Sequence, residues 1–124
     1  MTAIPRETYR RRFDRVLERM GGLYDFDDVV ERVRDGRMMS FVEGNSWALA
    51  QVQQFPKRRI LEILIATGEL KDARTLHDQV LKFADDEHCD VMTAVGRLGF
   101  LPDASRRGWR VKARAFVYQR ELTR

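Results

Sequence analysis

The chain reads as a mixed α/β (α+β) domain built on one sheet, and three stretches predict it. Ile60-Leu61-Glu62-Ile63-Leu64-Ile65-Ala66 is apolar at almost every position, the pattern of a strand covered on both faces. After the turn Thr67-Gly68-Glu69, Ala73, Leu76, His77, Val80, Leu81 and Ala84 recur at helical spacing on one face of a helix over about Asp72–Asp86. A second apolar run follows at Asp90–Val95. Strand, helix, strand in that order is a crossover unit, so Arg59–Ala66 and Asp90–Val95 are predicted to run parallel with a right-handed connection.

Two helices precede this unit. Pro5–Met20 opens on a proline, which a first helical turn tolerates, and lines up Tyr9, Phe13, Val16, Leu17 and Met20 before Gly21-Gly22 stops it. Asp25 caps a second helix, Phe26–Asp35, with Phe26, Val29, Val30 and Val33 inward and Gly36 ending it. Next come a strand at Met38–Val42, a hairpin turn at Glu43-Gly44-Asn45-Ser46 and a partner strand at Trp47–Gln54. Phe55-Pro56-Lys57 breaks the chain before the central strand, which completes a three-strand antiparallel meander.

After Val95, two glycines and a proline in Gly96-Arg97-Leu98-Gly99-Phe100-Leu101-Pro102 make a loop, with one helical turn expected at Pro102–Arg107. From Trp109 a last strand alternates, with Trp109, Val111, Ala113, Ala115 and Val117 on one side. Arg110, Lys112, Arg114, Phe116 and Tyr118 take the other. No linker or repeat interrupts residues 1–124, which are read as one domain.

At 124 residues, 44% hydrophobic and 10% aromatic, the chain carries enough apolar material for a folded core and is not of a disordered class. No apolar stretch approaches the roughly 20 residues that span a bilayer, and the Arg-rich start is not read as a signal peptide. Cys89 is the single cysteine, so no internal disulfide forms and a reducing cytoplasm is the expected compartment. The net charge of +4 is unevenly spread. Arg6, Arg10, Arg11, Arg12, Arg15 and Arg19 crowd the first segment, and Arg106, Arg107, Arg110, Lys112 and Arg114 the last, while acids fill the middle. Such basic ends suit pairing within the fold, a protein partner or a polyanion.

The element order, together with Gly99-Phe100, Gly108-Trp109 and Tyr118-Gln119-Arg120-Glu121-Leu122 at the end, resembles the GNAT acetyltransferase superfamily over nearly the whole chain. The family's first strand would lie before Pro5, where Met1-Thr2-Ala3-Ile4 is short. The layout looks particularly like that of small GNAT-like proteins of tailed bacteriophages, some of them virion- or head-associated. The resemblance implies a donor site at the turn between the central strand and the crossover helix, where the family has Q/R-x-x-G-x-G/A and its amides hold the pyrophosphate of acetyl-CoA. Here Thr67, Gly68, Glu69, Leu70 and Lys71 occupy that place, with one glycine and with acids at Glu69 and Asp72. The family often uses a tyrosine on its last helix as general acid, and Leu98–Arg107 contains no Tyr, Cys or His.

The expectation is therefore a GNAT-like protein without the family's donor signature, with no catalytic residue and no cofactor. It would be a structural or interaction protein of phage type, in the host cytoplasm or the virion. Its partner would be a protein or a second copy, met through Arg10, Arg11, Arg15, Arg110, Lys112 and Arg114, and no membrane. One alternative is an acetyl-CoA-dependent N-acyltransferase with an atypical donor site at Thr67–Lys71. Another is a nucleic-acid-binding accessory protein that uses the basic ends. His77 reads as a hydrogen-bonded, partly buried histidine, and His88-Cys89 as a helix end and strand start rather than a metal site. Glu62, charged inside an apolar run, and Glu43 are the strand carboxylates, and the resemblance implies that a strand Glu of this kind can act as a base, directly or through water. Trp47 and Trp109 read as core anchors.

Overall fold

Helix α1 (Arg10–Arg19) turns Phe13 and Leu17 inward, and helix α2 (Phe26–Arg34) turns Phe26, Val29 and Val33 onto them. The computed structural model describes residues 5–19, 21–67, 70–94, 105–112 and 120–123. Contacts divide the chain into two units, Met1–Ala94 and Val95–Arg124.

In the first unit α1 starts later than the proline suggested. Pro5 lies outside it, and a 3-10 turn at Glu7–Tyr9 precedes it, with Tyr9 N–H donating to Arg6 O at 3.0 Å. Arg6 offers no side-chain cap, so the entry tightens into i→i+3 bonds. At α2 the expected cap is present in reciprocal form. Asp25 accepts from Asp28 N–H at 2.8 Å, and Asp28 accepts from Asp25 N–H at 3.0 Å. Asp14 on α1 accepts the Phe26 N–H at 2.8 Å, so the two helices share the satisfaction of one terminus.

The sheet holds β1 (Met39–Glu43), β2 (Ser46–Gln54), β3 (Arg59–Thr67) and β4 (Val91–Ala94) in that spatial order. The first pairs are antiparallel, and β3 pairs β4 in parallel, Ile60 opposite Val91 through Ile63 opposite Ala94. At the β1–β2 hairpin Gly44 alone takes positive φ, +56°; Asn45, equally suited in sequence, is not used that way. Beyond the other end of β2, Phe55 N–H closes the β2–β3 loop onto Arg58 O at 2.8 Å.

The central strand departs from a simple alternation. Leu49 faces Ile65 and Ala50 faces Ile63, so Leu64 is an extra residue, a bulge on β3. Leu61 and Ile63 belong to one core cluster and Ile65 to the other, because the extra residue switches the strand's inward face. The cluster with α1 and α2 contains Met38, Trp47 and Leu49; Trp47 is fully buried and stacks on Phe13 with centroids 3.6 Å apart and planes at 10°. The opposite cluster contains Phe41, Ala48, Ala50 and Leu61 under helix α3 (Leu70–Asp86).

On α3, Leu76, Val80 and Ala84 are buried as expected, but Leu81 is 48% exposed. Leu81 lies five residues after Leu76, about 140° around the helix, whereas Phe83 returns to the inward side. There Phe83 packs edge-on against Phe41 at 5.5 Å. The helix ends with His88 at φ +58° and Cys89 N–H bonded to Ala84 O at 2.9 Å. Asp90 then locks β4 to β3, its N–H donating to Arg59 O and its carboxylate accepting from Arg59 N–H, both at 2.8 Å.

In the second unit Ser105 and Arg106 are helical, and Gly108, at φ +89°, donates to Ser105 O at 3.2 Å. This agrees with the expected helical turn. Trp109–Lys112 lie outside any strand, so the last strand does not begin at Trp109 as expected. Gly108, at positive φ, turns the chain immediately before them. The rest of that expected strand, from Ala113 on, lies outside the described residues. So does the loop expected from Gly96 to Pro102. No helix among the described residues is long and apolar enough to cross a membrane.

Candidate functional site

The junction between β3 and α3 comes first, because the sequence points there. β3 runs to Thr67 and α3 begins at Leu70, which confirms a strand-turn-helix unit. Gly68 and Glu69 lie outside the described residues. Lys71 is exposed and Asp72, in the first turn of α3, is half-buried. The Asp72 carboxylate abuts the β1–β2 hairpin: a Cβ on Gly44 would lie 2.7 Å from its Oδ2. A negative side chain thus lies at the helix end whose amides attract negative charge. A carboxylate at this end stabilises the helix.

A second constellation lies on the sheet face away from α3. Leu61, Ile63, Val52 and Met92 pack toward α3, so the residues that alternate with them face the other way. Across β2, β3 and β4 the register sets Gln51 opposite Glu62 and Glu62 opposite Thr93, in one polar row. Glu62 is half-buried and accepts from Gln53 Nε2 at 2.8 Å. The bulge at Leu64 follows directly. A half-buried carboxylate held by an amide donor is equipped to accept a proton or an ammonium group. Sequence reading singled out Glu62 but not its neighbours, although Gln51 and Gln53 alternating around Val52 was the available signal. Glu43, by contrast, lies in β1 and accepts from Gln79 Nε2 of α3 at 2.9 Å.

The arginines of α1 divide into two sets. Arg10 bonds Glu7 and Asp27, the latter at 2.8 Å, and lies 4.7 Å over the Phe26 ring, so it joins α1 to α2. Arg12 Nη1 donates to Asn45 O at 2.9 Å and Tyr9 Oη to Gly44 O at 3.2 Å, which fixes the helix to the hairpin. Arg11 and Arg15 are exposed. In the second unit Arg110 and Lys112 are exposed, Val111 is 52% exposed and Trp109 is half-buried; Arg114 lies outside the described residues.

The remaining candidates are structural. His77 is partly buried, its Nδ1 3.9 Å from Asp78 Oδ1. Burial pushes the Cys89 thiol above its ordinary value, and the nearby Arg59 only partly offsets this. A cavity of about 330 Å³ lies at the α1–α2 connection, lined by Asp14, Glu18, Tyr24, Asp25 and Asp28. Three of those acids, Asp14, Asp25 and Asp28, already bond backbone N–H groups.

Neither a protein-family model nor a curated protein sequence matches the chain. Solved structures do. A probable acetyltransferase superposes with a TM-score of 0.69 at 11% identity, over 94% of this chain and 91% of that one. A Trypanosoma brucei acetyltransferase gives 0.64 at 13%, over 89% and 94%. An aminoglycoside N-acetyltransferase, solved in complex with CoA, gives 0.63 at 11%, over 95% and 97%. The fold is that of the GNAT acetyltransferases. In GNAT terms α3 is the crossover helix, β3 and β4 are the parallel pair, and the Thr67–Lys71 turn is where the superfamily resemblance put the donor.

Proposed function

We propose that this chain uses the GNAT scaffold as a non-catalytic interaction protein, of the kind found in tailed phages, where it would be virion- or head-associated. The observation that carries this reading is Asp72, a carboxylate beside Gly44 in the first turn of α3, where it would repel a pyrophosphate. The sequence adds Glu69 beside it and a single glycine, Gly68, in the turn. The protein-facing surface is Arg110-Val111-Lys112, an exposed segment that sets an apolar side chain between two cations, as an apolar contact with a polar rim requires. The phage assignment rests on the layout and the Gly108-Trp109 ending.

Calorimetric titration with acetyl-CoA tests the first part, and no heat of binding is expected. Saturable binding at micromolar affinity would overturn it. Capsid, portal or terminase genes beside the coding sequence would support the phage origin, and a purely metabolic neighbourhood would count against it.

A second reading, an N-acyltransferase, is favoured by the polar row Gln51, Glu62 and Thr93 next to the bulge. In that case Glu62 accepts the proton of the acceptor amine. Glu62→Gln would then lower turnover about 10²–10⁴-fold while leaving thermal unfolding nearly unchanged.

A further inference from the structure

Arg11, Arg15 and Arg19 follow one another at four-residue spacing, so they form a line about 12 Å long on α1. All are exposed, on the side opposite Phe13 and Leu17. The other charges of the region are engaged elsewhere. Arg10 holds Glu7 and Asp27, and Arg12 holds the Asn45 carbonyl. Asp14 bonds the start of α2, and Glu18 alone borders the line on the α2 side. Like charges at i,i+4 repel one another and weaken an isolated helix. A line of such pairs is relieved when an anion binds along it.

The chemistry of the band discriminates between kinds of anion. Its outward positions carry no apolar side chain; Val16, the remaining aliphatic residue of α1, packs on the core. Protein interfaces have an apolar, desolvated centre, whereas contacts to a phosphate backbone need none. Arginine also matches phosphate in a bidentate fork. We propose that Arg11, Arg15 and Arg19 dock on the phosphate backbone of duplex nucleic acid without reading its bases. The proposal goes beyond the reading given above, which stands or falls on acetyl-CoA.

The test is binding of a labelled mixed-sequence duplex of about 20 base pairs, followed by anisotropy between about 50 and 200 mM salt. Three phosphate contacts contribute a slope of about −2.7 to log K against log salt, at about −0.9 each. The triple change Arg11→Gln, Arg15→Gln, Arg19→Gln is expected to remove that increment, and Arg15→Gln alone about a third of it. A double change of equal kind in the exposed β2–β3 loop, Lys57→Gln with Arg58→Gln, leaves the slope unchanged. Unaltered circular dichroism confirms that each variant is folded. No binding at the lowest salt, or an unchanged slope in the triple variant, overturns the proposal. So does tighter binding of polyglutamate than of the duplex, which would mean that the line serves an acidic protein.

Discussion

The Asp72 carboxylate fills the space beside Gly44 that a side chain would need, with Oδ2 2.7 Å from the position of a Cβ there. Gly44 also holds φ at +56° in the hairpin. Gly44→Ala therefore meets two obstacles, backbone strain and a carboxylate. It is expected to destabilise by about 1–3 kcal/mol in urea unfolding. Adding Asp72→Ala to it removes the steric part and leaves the strain, so the double variant should lose less than the sum of the singles. Strict additivity would show that the two residues do not meet.

Trp47 and Phe13 are the centre of the core between the sheet and the N-terminal helices. Trp47→Ala is expected to cost about 3–5 kcal/mol, because a fully buried ring leaves a cavity that the sheet cannot close. Trp47→Phe should cost much less than that. The indole Nε1 is buried without a hydrogen-bond partner among the described residues, so removing it costs no bond. Equal losses in the two variants, read by thermal unfolding, would contradict this placement.

Arg10 sets an acid dependence. Its hydrogen bonds hold the carboxyls of Glu7 and Asp27 below their ordinary values. Depressed carboxyls contribute stability that is present above their unfolded values, near about 4, and lost as pH falls through the folded ones. In Arg10→Gln both carboxyls should titrate closer to ordinary values by NMR. The stability gap between wild type and variant should narrow below about pH 4. A gap that stays constant with pH would assign Arg10 a packing role only, through its contact with Phe26.

Cys89 is predicted to be unreactive. Partial burial pushes its thiol up, which disfavours the nucleophilic thiolate. Alkylation by iodoacetamide at about pH 8 should be several-fold slower in the folded protein than in urea. Equal rates would show that the thiol is more open than the structure places it.

Local chemistry made most elements legible. The Asp25–Asp28 cap, the Gly44 hairpin and the Phe55–Arg58 turn all follow from residues within a few positions of one another, and the parallel β3–β4 pair from the order strand, helix, strand. Their boundaries fell within a few residues of the expected ones. Long-range matters were not legible. Leu81 and Phe83 are equally apolar, and only the direction from which α3 meets Phe41 decides which is buried. The site divides in the same way. Glu62 stood out as a charge in an apolar run, yet its row with Gln51 and Thr93 needed the register of three strands.

The sequence by itself determined a mixed sheet with a crossover helix, the kinds and order of its elements through β4, and the acidic character of the β3–α3 turn. Periodicity, caps and turn residues act over a few positions, so one chain read in order contains them. Tertiary structure alone decided the bulge at Leu64, the meeting of Asp72 with Gly44, and the partition of the α1 arginines into joints and an open line. Each depends on which distant surfaces come into contact, and that is fixed by burying Trp47 and Leu61 on opposite faces of one sheet.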